Sequence, residues 1–373
     1  MSVIAVLGDT HFGTRGDSSI FLQNQETFYR EVFFPTLDER QITTVVHVGD
    51  VFDRRKFVNF SVLNATRRMF IDPLRQRART RGLHTHVVLG NHDMFFKESF
   101  EVTALQELLG IDPAFTLYTQ PTDVSLEGRT VLMLPWICEA TQQNSLTALQ
   151  QSSADLVFGH LECAGIEMDR GRLQETGMDV GDLHRFELVL TGHYHHASRT
   201  QNVQYLGAPY EMTWADYNSP KGFWILDTNT LALERILNPH RMFYRFGYDD
   251  AGKDGDYVTK WVEGIRTNAA TFRSAYVKLV VRTKQNPHGF DLIVDAFSKT
   301  EPSDISVVED VLVTSGEAEA VSGEIPLSLD TPNLIDAFLK QAVLRDGEYE
   351  PTRAIMMTLF RTATEVTNEV DAA

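Results

Sequence analysis

The chain is poor in cysteine, with only Cys138 and Cys163 among 373 residues. Two thiols supply neither a disulfide framework nor a cysteine-based zinc site. They suit a reducing, cytoplasmic setting. Long apolar runs are missing too. Nothing approaches the roughly 18 residues of a membrane span, so no membrane role is expected. The apolar run at 3–7 stops at Gly8 and Asp9, too soon for a signal peptide. Thirteen Pro and 24 Gly are ordinary counts, which excludes a collagen-like or low-complexity chain. Basic residues are scarce relative to acidic ones: 34 Lys+Arg against 51 Asp+Glu, a net −17. Taken alone, that deficit argues against nucleic acid, because phosphate backbones bind to basic surface.

The charge is unevenly spread. Residues 301–373 hold 15 acidic and 4 basic residues, whereas 51–100 hold 10 basic and 4 acidic. The mean therefore hides a basic segment and an acidic tail. A single core stops growing near about 250–300 residues, so one large domain and at least one smaller one are expected.

Six short β-branched runs read as buried strands: 3–8, 44–49, 85–90, 130–134, 155–159 and 187–192. Five of them end at Gly. Segments with helical spacing lie between them. Val102, Leu105, Leu108 and Leu109 make one apolar face, and 57–81 is helix-like with a break at Pro73. Alternation of this kind indicates an α/β domain, closed by strands at 203–207 and 222–227 near residue 245. A linker-like Asp/Gly stretch covers 249–256. Strand 276–282, helix 288–298 and strand 305–312 then form a small α+β unit, followed by a loop at 313–329. Thr331 and Pro332 resemble an N-cap and first helical position. Apolar stripes follow at Leu334, Ile335, Phe338 and Leu339, then at Ile355, Leu359 and Ala363. No internal repeat is evident.

Five motifs sit just after strand ends: Gly8-Asp9-Thr10-His11, Gly49-Asp50-Val51-Phe52-Asp53, Gly90-Asn91-His92-Asp93, Gly159-His160 and Gly192-His193-Tyr194-His195. Open α/β sheets bind ligands outside the carboxyl ends of their strands. Each motif alone is weak: Asp-x-His is usually surface, and Gly-Asn-His-Asp is usually a turn. In order, and each at a strand end, they converge on one crevice. The donors are Asp9, His11, Asp50, Asn91, His160, His193 and His195. Oxygen and imidazole without thiolate suit Mn²⁺ or Fe²⁺ better than a closed structural zinc. Seven ligands exceed one ion with an open position. They suit two ions about 3.5–4 Å apart with a bridging carboxylate. His47, His84 and His86 lie in strands and read as packed or edge residues. His184, His196, His240 and His288 lack motif support.

These residues resemble the calcineurin-like metallophosphoesterase superfamily over about 3–210. Gly49-Asp50-Val51-Phe52-Asp53 before a long helical region is similar to the SbcD-type recombination nucleases. Leu206 to Asp216 (Leu-Gly-Ala-Pro-Tyr-Glu-Met-Thr-Trp-Ala-Asp), then Pro220-Lys221-Gly222-Phe223, is similar to the recombination endonuclease subunits of T-even-like phages. The resemblance implies a four-layer αββα sandwich over 1–245, a smaller α+β capping domain over 246–325, and a C-terminal helical tail over 326–373. It implies one metal on Asp9, His11, Asp50 and His195. A second would sit on Asp50, Asn91, His160 and His193, with Asp50 bridging. Mn²⁺ is the first choice, with Mg²⁺ and Fe²⁺ as alternatives. His92 resembles the family's catalytic histidine. Asp53, where some members carry histidine, would support it.

Two divalent ions acidify water and offset phosphodiester charge. An imidazole titrating near about 6.5 can protonate the leaving oxygen. The resemblance thus implies DNA phosphodiester hydrolysis, as exonuclease, endonuclease or both, in break processing, recombination and replication. Arg54, Arg55 and Lys56 are candidate DNA contacts at the head of an arginine-rich stretch. The bland reading of that stretch is a solvated helix face. The resemblance also implies a homodimer, for which Phe57, Phe60, Val62, Leu63 and Leu105 are candidates, core packing being simpler. The tail would dock on an SMC-like coiled-coil ATPase through anchors at helical spacing. The setting is cytoplasmic, the host's if the chain is phage-encoded. A phosphatase or other phosphodiesterase of the same fold is the alternative. A scaffold with a vestigial site is disfavoured by the complete ligand set.

Overall fold

A computed structural model describes residues 2–169, 172–174, 176–309, 339 and 349–359. The chain divides into two units, Met1–Val308 and Glu309–Ala373.

The first unit is built on two six-stranded sheets. One runs Leu233–Leu237, Gly222–Asp227, Val3–Leu7, Thr44–His47, His84–Val88, Phe115–Tyr118 in spatial order. The other runs Ser198–Thr200, Val203–Tyr205, Leu188–Gly192, Leu156–His160, Arg129–Leu134, Thr122–Leu126. The central strands of both are parallel. Parallel strands buried on both faces need apolar residues at every position, and Ile4, Ala5, Val6 and Leu7 are all fully buried. Side chains alternate between faces. Ile4 and Val6 meet Phe158 and Leu190 of the other sheet. Ala5 and Leu7 point the other way and pack with Phe28, Leu37 and Leu74 of the helices. On the far side of the second sheet, Val157 and Val189 pack with Leu149 and Leu183. The result is the four-layer αββα sandwich, and it brings the carboxyl ends of the parallel strands to one edge.

A smaller α+β layer follows. Phe243–Asp249 pairs in parallel with Tyr276–Thr283, and Asp304–Glu309 is the third strand. Helices Asp256–Thr267 and Pro287–Ser298 complete it. Its own core includes Tyr248, Ile265, Leu279, Ile293 and Phe297. Phe21, Met242 and Phe243, with Trp214 and Tyr276, join it to the sandwich.

Four readings change. The expected boundary at 245 falls inside the strand Phe243–Asp249, so the α+β layer begins there. The linker-like stretch is only the turn before the helix Asp256–Thr267. Val258, Trp261, Val262 and Ile265 carry the helical spacing that marks it. Val102 is not helical. It lies exposed in the strand Ser99–Thr103, and the helix starts at Ala104 because the Thr103 hydroxyl accepts the Gln106 N–H. Pro73 does not break the helical run. It sits in the first turn of Asp72–Arg81, after a π turn at Arg67–Ile71, where its missing N–H costs little.

In the second unit Leu339 is buried and 349–359 is helical. Ile355 and Leu359 are 61% and 60% exposed on that helix. The expected features at 310–338, 340–348 and 360–373 lie outside the described residues. No helix among the described residues is long and apolar enough to cross a membrane.

Candidate dimetal centre

All five motifs meet at the edge where the parallel strands end. The turns are tight, and the main chain takes uncommon shapes to make them. His11, Asp50 and His193 have φ of 40°, 54° and 92°. Non-glycine residues seldom adopt such angles, and holding them costs about 1–3 kcal/mol each. Glycine clears the space. A Cβ on Gly49, itself at φ 101°, would lie 2.6 Å from His160 Nδ1, and one on Gly192 would collide with the Asp9 carboxylate.

Two donor groups result: Asp9, His11 and His195, and Asp50, His160 and His193. In each, the donor atoms lie within 4.8 Å of one another. His11 Nε2 and His195 Nε2 are 3.0 Å apart. Asn91 Oδ1 lies 3.0 Å from His160 Nε2 and 3.2 Å from His193 Nδ1. Such separations match neighbouring ligands around an ion held at about 2.1 Å. Asp50 Oδ2 stands between the groups, 3.7 Å from His11 Nε2 and 3.4 Å from His160 Nε2. It is placed to be shared. Asp9, Asp50 and His160 are essentially sealed from solvent.

The electrostatics fit cations as well. Burial pushes the Asp9 carboxyl up to about 7, with Asp50 adding to the shift. Burial would raise Asp50 too, but the charge and hydrogen bonding of His160, then His11 and His92, hold it well below the ordinary range. Burial alone would lower His160. The Asp50 carboxylate outweighs that and lifts it to about 9. Burial lowers His193 to about 3 and His195 to about 4, and drives His11 well down. Three of the four imidazoles thus present neutral nitrogens, as a metal ligand must. The donors fit two divalent ions.

Surrounding groups fix these side chains. His160 Nδ1 donates to the Val48 carbonyl at 2.7 Å, which leaves Nε2 to face Asn91 and Asp50. The His193 N–H donates to Asp9 at 2.8 Å. Asp93, unmarked in the sequence reading, accepts from the N–H groups of Asp50, Val51 and Gly90 and so clamps two motifs together. Lys221 was also missed. Its buried ammonium donates to the His195 carbonyl at 2.7 Å and pairs with Asp216 at 2.5 Å. The only sequence signal for either residue is its place inside a quoted motif. His47 is a packed residue, bonded to Thr10 and to the Gly49 N–H. His84 and His86 are half-buried strand residues, bonded to Thr116 and Tyr118.

His92 stands at the rim, its ring 4.8 Å from that of His11. Its N–H donates to Asp50 at 2.7 Å. Its Nδ1 meets the Asp53 main-chain oxygen at 2.6 Å. A carbonyl only accepts, so Nδ1 carries the hydrogen and Nε2 is the nitrogen that exchanges a proton. The Asp53 carboxylate lies 3.5 Å from His11 Nδ1 and also feels the charge of His92. Residue 53 reaches His92 through its backbone.

Arg54 lies 3.6 Å from Asp17 and over the Phe57 ring. Arg55 is half-buried and Lys56 exposed. Further along, Arg68, Arg75, Arg77 and Arg81 pair with Glu26, Asp112, Asp38 and Asp38. Of the candidate dimer positions, Phe57 and Phe60 are exposed, Leu63 is half-buried, and Val62 and Leu105 belong to the core.

The calcineurin-like phosphoesterase family model matches residues 2–197, over half the chain. Exonuclease subunit 1 of Enterobacteria phage T4 is 31% identical over 247 residues, covering 66% of this chain and 71% of that protein. A solved structure of an archaeal phosphodiesterase aligns with 63% of this chain and 99% of its own, at 17% identity and a TM-score of 0.32. That last likeness is too low to add anything. The family match and the phage relative agree with the crevice: the chain belongs to the calcineurin-like phosphoesterase family, the metal-dependent hydrolases of phosphate esters.

Proposed function

We propose that the protein is a DNA nuclease that hydrolyses phosphodiesters with two divalent ions, Mn²⁺ first. The observation that carries this is the pair of buried donor groups on either side of Asp50, beside a rim histidine whose Nδ1 is spoken for. The phage relative, an exonuclease subunit by name, supports DNA as the substrate.

Asp9, His11, Asp50 and His195 would hold one ion, and Asp50, Asn91, His160 and His193 the other. Bound there, the ions acidify water and withdraw charge from the phosphate. The chain does the rest. The Val48 carbonyl and Asp93 keep the donors from turning away. His92 Nε2 holds a proton for the departing sugar oxygen, with Nδ1 anchored on the Asp53 carbonyl. Asp53 is a positioning residue. Arg54, Arg55 and Lys56, just after the Asp50 motif, draw the DNA backbone toward the crevice.

The sandwich up to Met242 is then the nuclease domain, and the α+β layer from Phe243 its cap. The acidic tail fits an SMC-like ATPase partner, with Ile355 and Leu359 exposed as anchors. Exposed Phe57 and Phe60 support a homodimer. Free, buried Cys138 and Cys163 suit a reducing cytoplasm, the host's for a phage chain.

The test compares supercoiled and single-stranded DNA with p-nitrophenyl phosphate, in Mn²⁺ and in Mg²⁺. DNA hydrolysis in Mn²⁺ far above the monoester rate is expected. A protein that cleaves the monoester and leaves DNA intact is a phosphatase of the same fold.

A further inference from the structure

A cavity of about 350 Å³ opens beside the crevice and has His160 in its lining. Trp136 forms another part of it, with its ring 5.0 Å from that of His193 and 6.0 Å from that of His160. Ile137, Leu161 and Met178 add apolar wall, and Glu162 and Asp182 add carboxylates. No Lys or Arg is among the described lining residues. The volume lies within the range of small-molecule sites.

Charge decides what fits. Apart from His160, whose Nε2 faces Asn91 and Asp50, the described lining carries charge only on two carboxylates. These answer N–H donors and repel phosphate oxygens, so the cavity does not continue the path of the DNA backbone. An apolar wall with an indole favours a flat ring. Carboxylates accept hydrogen bonds and donate none. The group that answers all three is planar, uncharged and rich in N–H.

We infer that this cavity seats the base of the nucleotide whose phosphate enters the crevice, and that it favours bases with an exocyclic amine over thymine. This rests on the phosphodiester reading above and deepens it. Stacking on an aromatic side chain changes base affinity by roughly 5- to 150-fold. Thymine would stack but would turn carbonyl oxygens toward Glu162 and Asp182. Trp136 thereby selects unpaired bases, since a base inside a duplex cannot reach a separate cavity.

The experiment titrates Mn²⁺-loaded protein with dAMP, dTMP and 2-deoxyribose 5-phosphate by calorimetry. The expected order is dAMP tightest and the sugar phosphate weakest, with a gap of roughly 5- to 150-fold. Trp136→Ala collapses that gap, and Trp136→Phe retains most of it. Asp182→Asn, at an exposed position, brings dAMP and dTMP closer together. Leu146→Trp, at a site 42% exposed, fills the cavity and weakens dAMP alone. That variant keeps the test decisive where Trp136→Ala fails to fold or loses metal. Equal binding of dAMP and the sugar phosphate by the wild type overturns the inference while leaving the metal centre and DNA cleavage untouched. Failure of all three probes to bind, in a Mn²⁺-loaded protein that also leaves DNA intact, sinks the underlying reading instead.

Discussion

The crevice and the arginine-rich stretch both concentrate charge, and they treat it in opposite ways. In the stretch, Arg68, Arg75, Arg77 and Arg81 each meet a carboxylate of the same fold, at 3.0, 2.5, 2.5 and 2.9 Å. Each of these charges is answered within the fold and leaves nothing over. In the crevice, Asp9 is buried beside Asp50, whose charge His160 answers, and its own charge is left with too little to offset burial. The Asp9 carboxyl is pushed up to about 7 as a result. Charge balanced within the fold is structural. Charge left unbalanced in a sealed, conformationally strained site calls for something from outside, here cations.

Substitutions at four places sharpen the comparison. The largest effect belongs to the crevice. His92→Ala should cut DNA hydrolysis by roughly 10²–10⁴-fold while leaving Mn²⁺ affinity intact, measured by single-turnover kinetics beside a metal titration. Wild-type cleavage would remove His92 from the chemistry. Next is Lys221→Met. It takes the ammonium from the buried Asp216 carboxylate, which keeps the Met212 and Thr213 N–H groups and His196 at 3.7 Å, so denaturant unfolding should show a loss of up to about 3–5 kcal/mol. The His195 carbonyl keeps the Ala208 N–H but loses its charged donor, so Mn²⁺ binding weakens. Lys221→Arg should restore part of both. The smallest effects belong to the stretch. Arg77→Gln should cost no more than about 1 kcal/mol of stability and leave DNA binding alone. Arg54→Gln with Arg55→Gln should flatten the plot of log affinity against log salt by up to about two units. An equal change in slope from Arg77→Gln would erase the distinction between the two ends of the stretch.

What the sequence made legible follows the same division. The side chains that meet in the crevice could be found because each sits within three residues of a strand-ending glycine, a signal local in the chain. The sandwich was legible because strands buried on both faces leave unbroken apolar runs. Partners distant in sequence were not legible. Nothing near residue 221 announces a hydrogen bond to the carbonyl of His195, and nothing near residue 38 announces that Asp38 receives Arg77 and Arg81. Trp136 was overlooked because a lone tryptophan after a strand looks like core. Asp53 was half read. Its position beside His92 was found, but a main-chain acceptor looks the same for every residue type. The helix Asp256–Thr267 was legible and missed, hidden by the Asp/Gly turn in front of it.

The central claim is that Asp50 joins two cation sites, and metal titration tests it directly. Wild-type protein should bind two Mn²⁺ per chain, and Asp50→Asn should lose high-affinity binding at both sites. His160, raised to about 9, is protonated below that pH, and Asp9, raised to about 7, joins it below 7. Cation binding must displace these protons, so affinity should rise with pH. The slope of log affinity should be steeper, about two protons per unit, below pH 7 and about one between 7 and 9. Two ions bound with that pH dependence would support the account. A single ion per chain, or an affinity indifferent both to pH and to Asp50→Asn, would contradict it.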